Sequence, residues 1–472
     1  RACTSGHCRQ QKMLLATAAV AVVANGVGTI PLPPQYFDRQ VVDHFAPLPS
    51  PPRFWRQRFY ELDTHFKGAS NNGPIFLIVG GEGGIPPSTG IFYPWVAETL
   101  ASQFGALVIE PEHRFYGESL PVSPPESLEM HRLLTPQQAL ADTATFIAAR
   151  RAAHNCSDRP GPSYCPVVTF GGSYPGFLSA MMRMRYPAVV HAAYAASAPV
   201  KFYASQVDQG AYYEIVTASA ERAVPGCPAA VRCALAEWMD VPDLKTAISA
   251  LGLCTPLPEY IGDLATLQRE INMVVMYSFA GLNMENYPPT NTTALAEACA
   301  AFVEAPRLST MAAFLVSTTA NGAGIKREQW RRQGQQHRRI KPSACVDLSD
   351  QLPAGPHATI SSGDWSGVGS GPDGESWDFE TCTFLIEAIG TNNHTDMFPP
   401  RQWTLEWLQQ HCAQRFGVTP QPTALASLWG FDAVGDSGAS RIIFTNGLND
   451  GWSAGGIQVT PFVHTSWWSV GR

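Results

Sequence analysis

Charge is scarce in this chain of 472 residues: Asp, Glu, Lys and Arg make up 15%, against about 25% in an average soluble protein. Thirty-two basic residues against 39 acidic ones leave a net charge of −7. With no basic excess, nucleic acid is excluded as the main partner. No run reaches 18 uninterrupted apolar residues, so no membrane span is expected. No Cys-x-x-Cys pair occurs, which removes zinc-ribbon and thioredoxin-like chemistry. No 20–50 residue repeat is visible, so solenoids and propellers are out. Gly and Pro, 40 and 39 residues, stay below the low-complexity range. What remains is 45% hydrophobic, enough for a sizeable core and too long for one average domain.

The chain starts with Arg1 and therefore reads as a fragment, or as beginning upstream of the true start. Basic Arg9 and Lys12 precede the apolar run Met13–Ala24. A short apolar run behind basic residues, with small residues to Gly28, is a secretory signal pattern. Region 1–28 is therefore expected to be a signal peptide. Removing it takes away Cys3 and Cys8 and leaves nine cysteines, enough for four bridges and one further thiol. Cys156–Cys165 and Cys227–Cys233 are plausible local pairs. Asn155, Asn291 and Asn393 each begin an Asn-x-Ser/Thr glycosylation sequon. All three features point to the secretory pathway.

Short apolar runs entering glycine or turn residues predict buried strands at 73–80, 106–111, 166–170, 192–200 and 441–446. Helices are predicted between them: Pro94–Gln103, Thr135–Arg151 (capped by Thr135, with Pro136 in its first turn) and Phe177–Tyr186. Strand–helix alternation means an α/β fold with a parallel-rich sheet covered on both faces. Residues 203–401 read instead as a mainly helical insertion. The expected division is thus 31–202 and 402–472 for the sheet domain, split by 203–401. The basic stretch Lys326–Lys341 reads as a solvated helical face.

The sharpest local pattern is Phe170-Gly-Gly-Ser-Tyr-Pro-Gly176 between a strand and a helix, the context of a nucleophile elbow. A strained turn there lifts the Ser173 hydroxyl above the sheet, and the helix aims its first amides at the reacting centre. Pro175 stands where the strict pattern has Gly. A serine hydroxyl needs an imidazole to take its proton and a carboxylate to orient that imidazole. The order Ser…Asp…His makes Asp450, just past the last strand, the expected acid. Only His464 follows Asp450; a strand at 457–463 would deliver it, but Pro461 interrupts that strand. For the oxyanion hole, backbone amides of Tyr174 and of Glu82, in the loop Gly80–Gly84, are expected. That loop lacks the Gly-Lys-Ser/Thr of a phosphate loop. No metal or organic cofactor is expected.

These pieces together resemble the serine exopeptidases typified by lysosomal Pro-Xaa carboxypeptidase, dipeptidyl peptidase II and thymus-specific serine protease. The matching segments are Tyr36-Phe-Asp-Arg-Gln-Val-Val-Asp-His-Phe45, Gln57-Arg-Phe-Tyr60, Glu112-His-Arg-Phe-Tyr-Gly-Glu-Ser119, the elbow, Ala196-Ser-Ala-Pro199, Trp377-Asp-Phe-Glu-Thr-Cys-Thr383, Thr395-Asp-Met-Phe-Pro399 and Asp450-Gly-Trp-Ser453. The resemblance implies an α/β-hydrolase fold with a helical insertion capping the site, Ser173 as nucleophile and Asp450 as triad acid. It implies cleavage of short peptides next to a penultimate proline, in lysosome-like acidic vesicles or outside the cell. It leaves a homodimer open, and gives Glu112–Tyr116 a shaping role. Gly81, Pro175 and Phe384 depart from its usual residues. Its histidine, in a segment after one more strand, has no counterpart before Arg472 and is expected beyond that residue. His464 as base, a chain without a base acting as a binding protein, and an esterase or lipase on the same fold are the alternatives.

Overall fold

The computed structural model describes residues 30–319 and 372–458, apart from short stretches at 48–50, 87, 124–126, 260, 288–289 and 430–438. Cys345, Val346, Leu348 and the strand 468–470 are described as well. The region 1–28, the basic stretch 326–341 and His464 lie outside the described residues.

The apolar runs form the middle of one sheet. Its strands are β1 (Gln35–Val41), β2 (Phe54–Leu62), β3 (Ile75–Ile78), β4 (Leu107–Pro111), β5 (Val167–Gly172), β6 (Ala192–Ala196), β7 (Ile442–Thr445) and β8 (Trp468–Val470). They lie in the order β1-β2-β4-β3-β5-β6-β7-β8. β1, β2 and β4 pair antiparallel, and every pairing from β4 through β3 to β8 is parallel. β3 and β4 are buried along their whole length because helices cover both faces. With Ser173 directly after β5 and helices on both sides, the chain has the α/β-hydrolase fold.

Local chemistry explains the flanking helices. Thr135 accepts the amide of Gln138 and starts the helix Pro136–Ala153, with proline in its first turn. Asp243, Asp263, Thr293 and Thr404 cap four other helices in the same way. The helices Ala211–Ala223, Cys227–Met239, Leu264–Met284 and Ala294–Glu304 share an apolar core of their own, including Trp238, Phe279 and Phe302.

The helix Pro372–Thr381, grouped by sequence with 203–401, packs on the sheet unit. Trp377 joins the core of β3, β5 and the elbow helix, while Phe379 and Cys382 pack with Trp55, Phe115 and Tyr116.

Four disulfides are present: Cys156–Cys165, Cys227–Cys299, Cys254–Cys345 and Cys382–Cys412. The first is the local pair the spacing suggests. The expected Cys227–Cys233 pair is corrected to Cys227–Cys299. Cys227 and Cys233 lie on one helix, and six residues of helix rise about 9 Å, beyond the ~7 Å limit of a disulfide's Cα atoms. Asn155, Asn291 and Asn393 are all exposed, as a glycan acceptor must be.

Candidate active site

All parallel strands end at the same edge of the sheet, and the candidate residues gather there. Ser173 follows β5 directly with φ 59° and ψ −131°, a conformation that costs a non-glycine residue about 1–3 kcal/mol. The surrounding backbone holds it: Ser173 N donates to the Ala196 carbonyl at 2.9 Å and Phe177 N to the Ser173 carbonyl at 3.0 Å. Two glycines make the turn sterically feasible. A Cβ on Gly171 would lie 2.1 Å from the Pro175 carbonyl oxygen, and one on Gly176 would lie 2.8 Å from that of Ala196. Gly176 thus supplies the room that the strict pattern places one residue earlier. Pro175 is accommodated in the first helical turn, where an amide has no intrahelical acceptor.

Tyr174 is the first residue of the helix Tyr174–Arg185, so its N–H also lacks an intrahelical acceptor. Glu82 lies in the loop after β3, which reaches the elbow through Gly81, packed against the Pro175 ring. Glu112 anchors the far side of this loop. Its Oε1 accepts Ile85 N at 2.8 Å and the Arg58 guanidinium, and its Oε2 accepts Ser119 Oγ at 2.7 Å and Glu118 N at 3.0 Å. Asp373 binds Gly84 N at 2.8 Å and Gly117 N at 3.0 Å, tying in the helix Pro372–Thr381. Burial pushes the Glu82 carboxyl up to about 7.

Asp450 follows β7, two strands from β5 across β6. Two strand spacings are about 10 Å, and once the Ser173 and Asp450 side chains reach into that gap an imidazole hydrogen-bonded at either end can bridge it. Its Oδ1 accepts Trp452 N at 3.1 Å. Burial raises its carboxyl above the ordinary range, opposed by the Ser197 hydroxyl and the Trp452 amide. The helical insertion clamps this loop. Ser219 Oγ donates to the Asn449 carbonyl at 2.8 Å, Asn283 Nδ2 donates to the same carbonyl, and Gly451 N donates to Asn283 Oδ1 at 3.1 Å.

Among the described residues, no histidine is hydrogen-bonded to Ser173 or Asp450. His113 is buried behind Tyr174, with Nδ1 2.8 Å from the Arg114 carbonyl and Nε2 3.2 Å from Tyr174 Oη; burial pushes it down to about 4. His411 is held by Asp378 at 2.9 Å. Of the strand expected at 457–463, Ile457 and Gln458 are in no strand, and the rest lies outside the described residues. The strand beyond β7 is β8, parallel to it.

Asp378, Cys382 and His411 stand close enough together to suggest a metal site. Cys382 is oxidised in its bridge to Cys412, and Asp378 is shared by His411 and Arg415. With no thiolate to offer, the cluster reads as a structural ion-pair network.

Sequence reasoning missed two residues here. Tyr93 holds φ 55°, and its hydroxyl lies against Gly172, where an added Cβ would come within 2.9 Å of it. Glu380 meets the Tyr174 and Tyr116 hydroxyls at 2.9 and 2.7 Å. The segment Trp377–Thr383 was the available signal for Glu380; none existed for Tyr93.

The family model for serine carboxypeptidase S28 matches residues 40–466. Lysosomal Pro-X carboxypeptidase of Mus musculus is 31% identical over 441 residues, covering 89% of this chain and 79% of that protein. Thymus-specific serine protease of Homo sapiens is 34% identical over 264 residues, covering 53% and 48%. A solved acylaminoacyl peptidase of Pyrococcus horikoshii overlaps 36% of this chain and 24% of its own, at 15% identity and TM-score 0.25, too little to add to the topology above. The chain belongs to the serine carboxypeptidase S28 family and is a serine hydrolase.

Proposed function

We propose that the protein is an exopeptidase that cleaves short peptides next to a penultimate proline through an acyl-enzyme. The observation that carries this reading is Ser173, strained at φ 59° at the carboxyl edge of β5, with Asp450 at the same edge two strands away. Ser173 Oγ attacks the scissile carbonyl and passes its proton to an imidazole oriented by Asp450. The Tyr174 and Glu82 amides face the oxyanion, and one such donor is worth about 2.7–4 kcal/mol in the transition state. The imidazolium gives the proton to the leaving amine, and water then releases the acyl group by the same steps in reverse. The helical insertion closes one end of the cleft, so that only chain ends enter. The preference for proline follows that named for the Pro-X carboxypeptidase relatives.

Acidic vesicles are the proposed setting, supported by the disulfides, the exposed sequons and four carboxyls that desolvation pushes towards their neutral form: the half-buried Glu82 and the buried Glu110, Glu270 and Glu380. Cleavage products of Xaa-Pro-aminoacyl reporters, Pro-Xaa peptides and short acyl esters at pH 5 test the substrate class. Cleavage beside proline at one peptide end supports the reading; turnover of acyl esters alone replaces it with an esterase.

A second reading has one specific observation behind it: no described histidine reaches Ser173. Without a base, kcat falls on the order of 10⁶-fold, and the chain acts as a binding protein. Peptide binding without turnover at any pH selects that reading.

A further inference from the structure

Behind the elbow lies a buried set of polar groups from three parts of the chain. Tyr174 Oη stands 2.9 Å from Glu380 Oε1 and 3.2 Å from His113 Nε2. Tyr116 Oη is 2.7 Å from Glu380 Oε2, and His113 Nδ1 is 2.8 Å from the Arg114 carbonyl. Relative exposure is 0% for Tyr116, Tyr174 and Glu380, and 5% for His113.

Burial disfavours a charge on the His113 ring, and for a neutral ring counting protons fixes the directions. A carbonyl only accepts, so the hydrogen of a neutral His113 ring sits on Nδ1 and Nε2 is an acceptor. The proton that meets Nε2 is the Tyr174 hydroxyl's. Tyr174 then has nothing to donate to Glu380, and the 2.9 Å contact must be donated by the carboxyl itself. Tyr116 donates to the other oxygen. With Glu380 protonated and His113 neutral, each of the four contacts has one proton. An imidazolium His113 with an ionised Glu380 would fill the same contacts, but it would bury two charges that do not touch each other, in a site from which water is excluded. With Glu380 ionised and His113 neutral, Tyr174 turns to the carboxylate and Nε2 is left facing an oxygen lone pair. A buried acceptor without a donor is costly.

We propose that Glu380 is a positioning residue working as a neutral acid, which donates to Tyr174 and so fixes the first turn of the elbow helix. Through that turn it places the amide that follows Ser173. The inference rests on the reading of Ser173 as nucleophile. The groups facing Glu380 are Tyr116 and His113 from the segment after β4, Tyr174 from the elbow helix, Tyr203 from beyond β6 and Glu82 from the loop after β3. Glu82 disfavours a second charge there. The nearby cation, Arg114, is committed to Asp142, with Nε 2.6 Å and Nη2 2.7 Å from its oxygens.

The test compares wild type, Glu380→Gln and Glu380→Ala over pH 5–9, with kcat and KM on a peptide reporter and Ser173→Ala as control. Wild-type kcat is expected to fall about tenfold towards pH 9 as the acid ionises. Glu380→Gln, which still donates, keeps the acid-side kcat and loses that fall, while Glu380→Ala loses kcat at every pH and KM moves little. A Glu380→Gln variant as impaired at pH 5 as Glu380→Ala, or one with the wild-type alkaline fall, overturns the proposal.

Thermal unfolding supplies a readout independent of activity. Wild type should lose stability relative to Glu380→Gln between pH 6 and 8.5, and parallel curves contradict the neutral acid. If turnover is absent or survives Ser173→Ala, the hydrolase reading fails, while the unfolding comparison still decides the state of Glu380.

Discussion

Gly81 and Pro175 fit each other: a Cβ on Gly81 would lie 2.4 Å from the Pro175 Cγ. Two of the three residues that depart from the usual pattern of the family are in contact, and each makes sense of the other. A proline in the first turn of the elbow helix takes space from the loop after β3, and only glycine at 81 leaves it free.

Gly81→Ala alone should therefore push that loop off the elbow and lower kcat/KM by about 10²-fold, the scale of a misplaced oxyanion donor. Gly81→Ala with Pro175→Gly should recover most of the loss. Steady-state kinetics of the two single variants and the double variant decide this; additive losses would show that the contact does not position the loop.

The clamp on Asp450 gives a second expectation. Asp450→Asn keeps the volume and the acceptor for Trp452 N, but no longer orients an imidazole in the right tautomer. A fall in kcat of about 10⁴-fold with a thermal midpoint near wild type is expected. Activity within tenfold of wild type removes Asp450 from the mechanism.

Stability should depend on pH with a definite sign. Burial pushes Glu82 and Glu270 up to about 7 and Glu110 and Glu380 up to about 8, from an ordinary value of 4.5. A raised folded-state value stabilises fully below the unfolded value and is lost as pH rises through the folded one. His113, pushed down to about 4, acts the other way as pH falls below 6.5. The thermal midpoint should therefore decline from pH 6 to 8.5. A flat or rising midpoint over that window contradicts the burial of these carboxyls.

Much of the sheet was legible because parallel strands covered on both faces are nearly continuous apolar runs. The five runs at 73–80, 106–111, 166–170, 192–200 and 441–446 correspond to β3–β7. The fourth ends early, at Ala196, because Ser197 turns to φ 46°. β1 and β2 form the antiparallel edge, where exposed polar residues such as Gln35, Arg39 and Arg56 interrupt any apolar run. The helix Pro372–Thr381 hides its place because it buries Ser376, Asp378 and Glu380 beside Trp377 and Phe379. A buried polar face has no signature in hydrophobic periodicity. Partners such as Glu380 with Tyr174, 206 residues apart, and Cys227 with Cys299, 72 apart, exist only after folding.

The disulfide Cys227–Cys299 closes a long loop within the insertion, and chain entropy assigns such a cross-link about 4 kcal/mol. Its removal by Cys227→Ala/Cys299→Ala should lower the thermal midpoint by several degrees. Because that helical body also holds Asn449 and Gly451, turnover should suffer before global unfolding. Circular dichroism and activity followed in one temperature ramp test the order; simultaneous loss argues against the clamp.

The central claim is that Ser173 is an activated nucleophile. A fluorophosphonate probe, followed by peptide mapping, tests it most directly. The account predicts a single adduct on the peptide carrying Ser173, absent in Ser173→Ala and in denatured protein. An adduct on a different serine, or an intact folded protein that takes up none at pH 5 or 7, would contradict it.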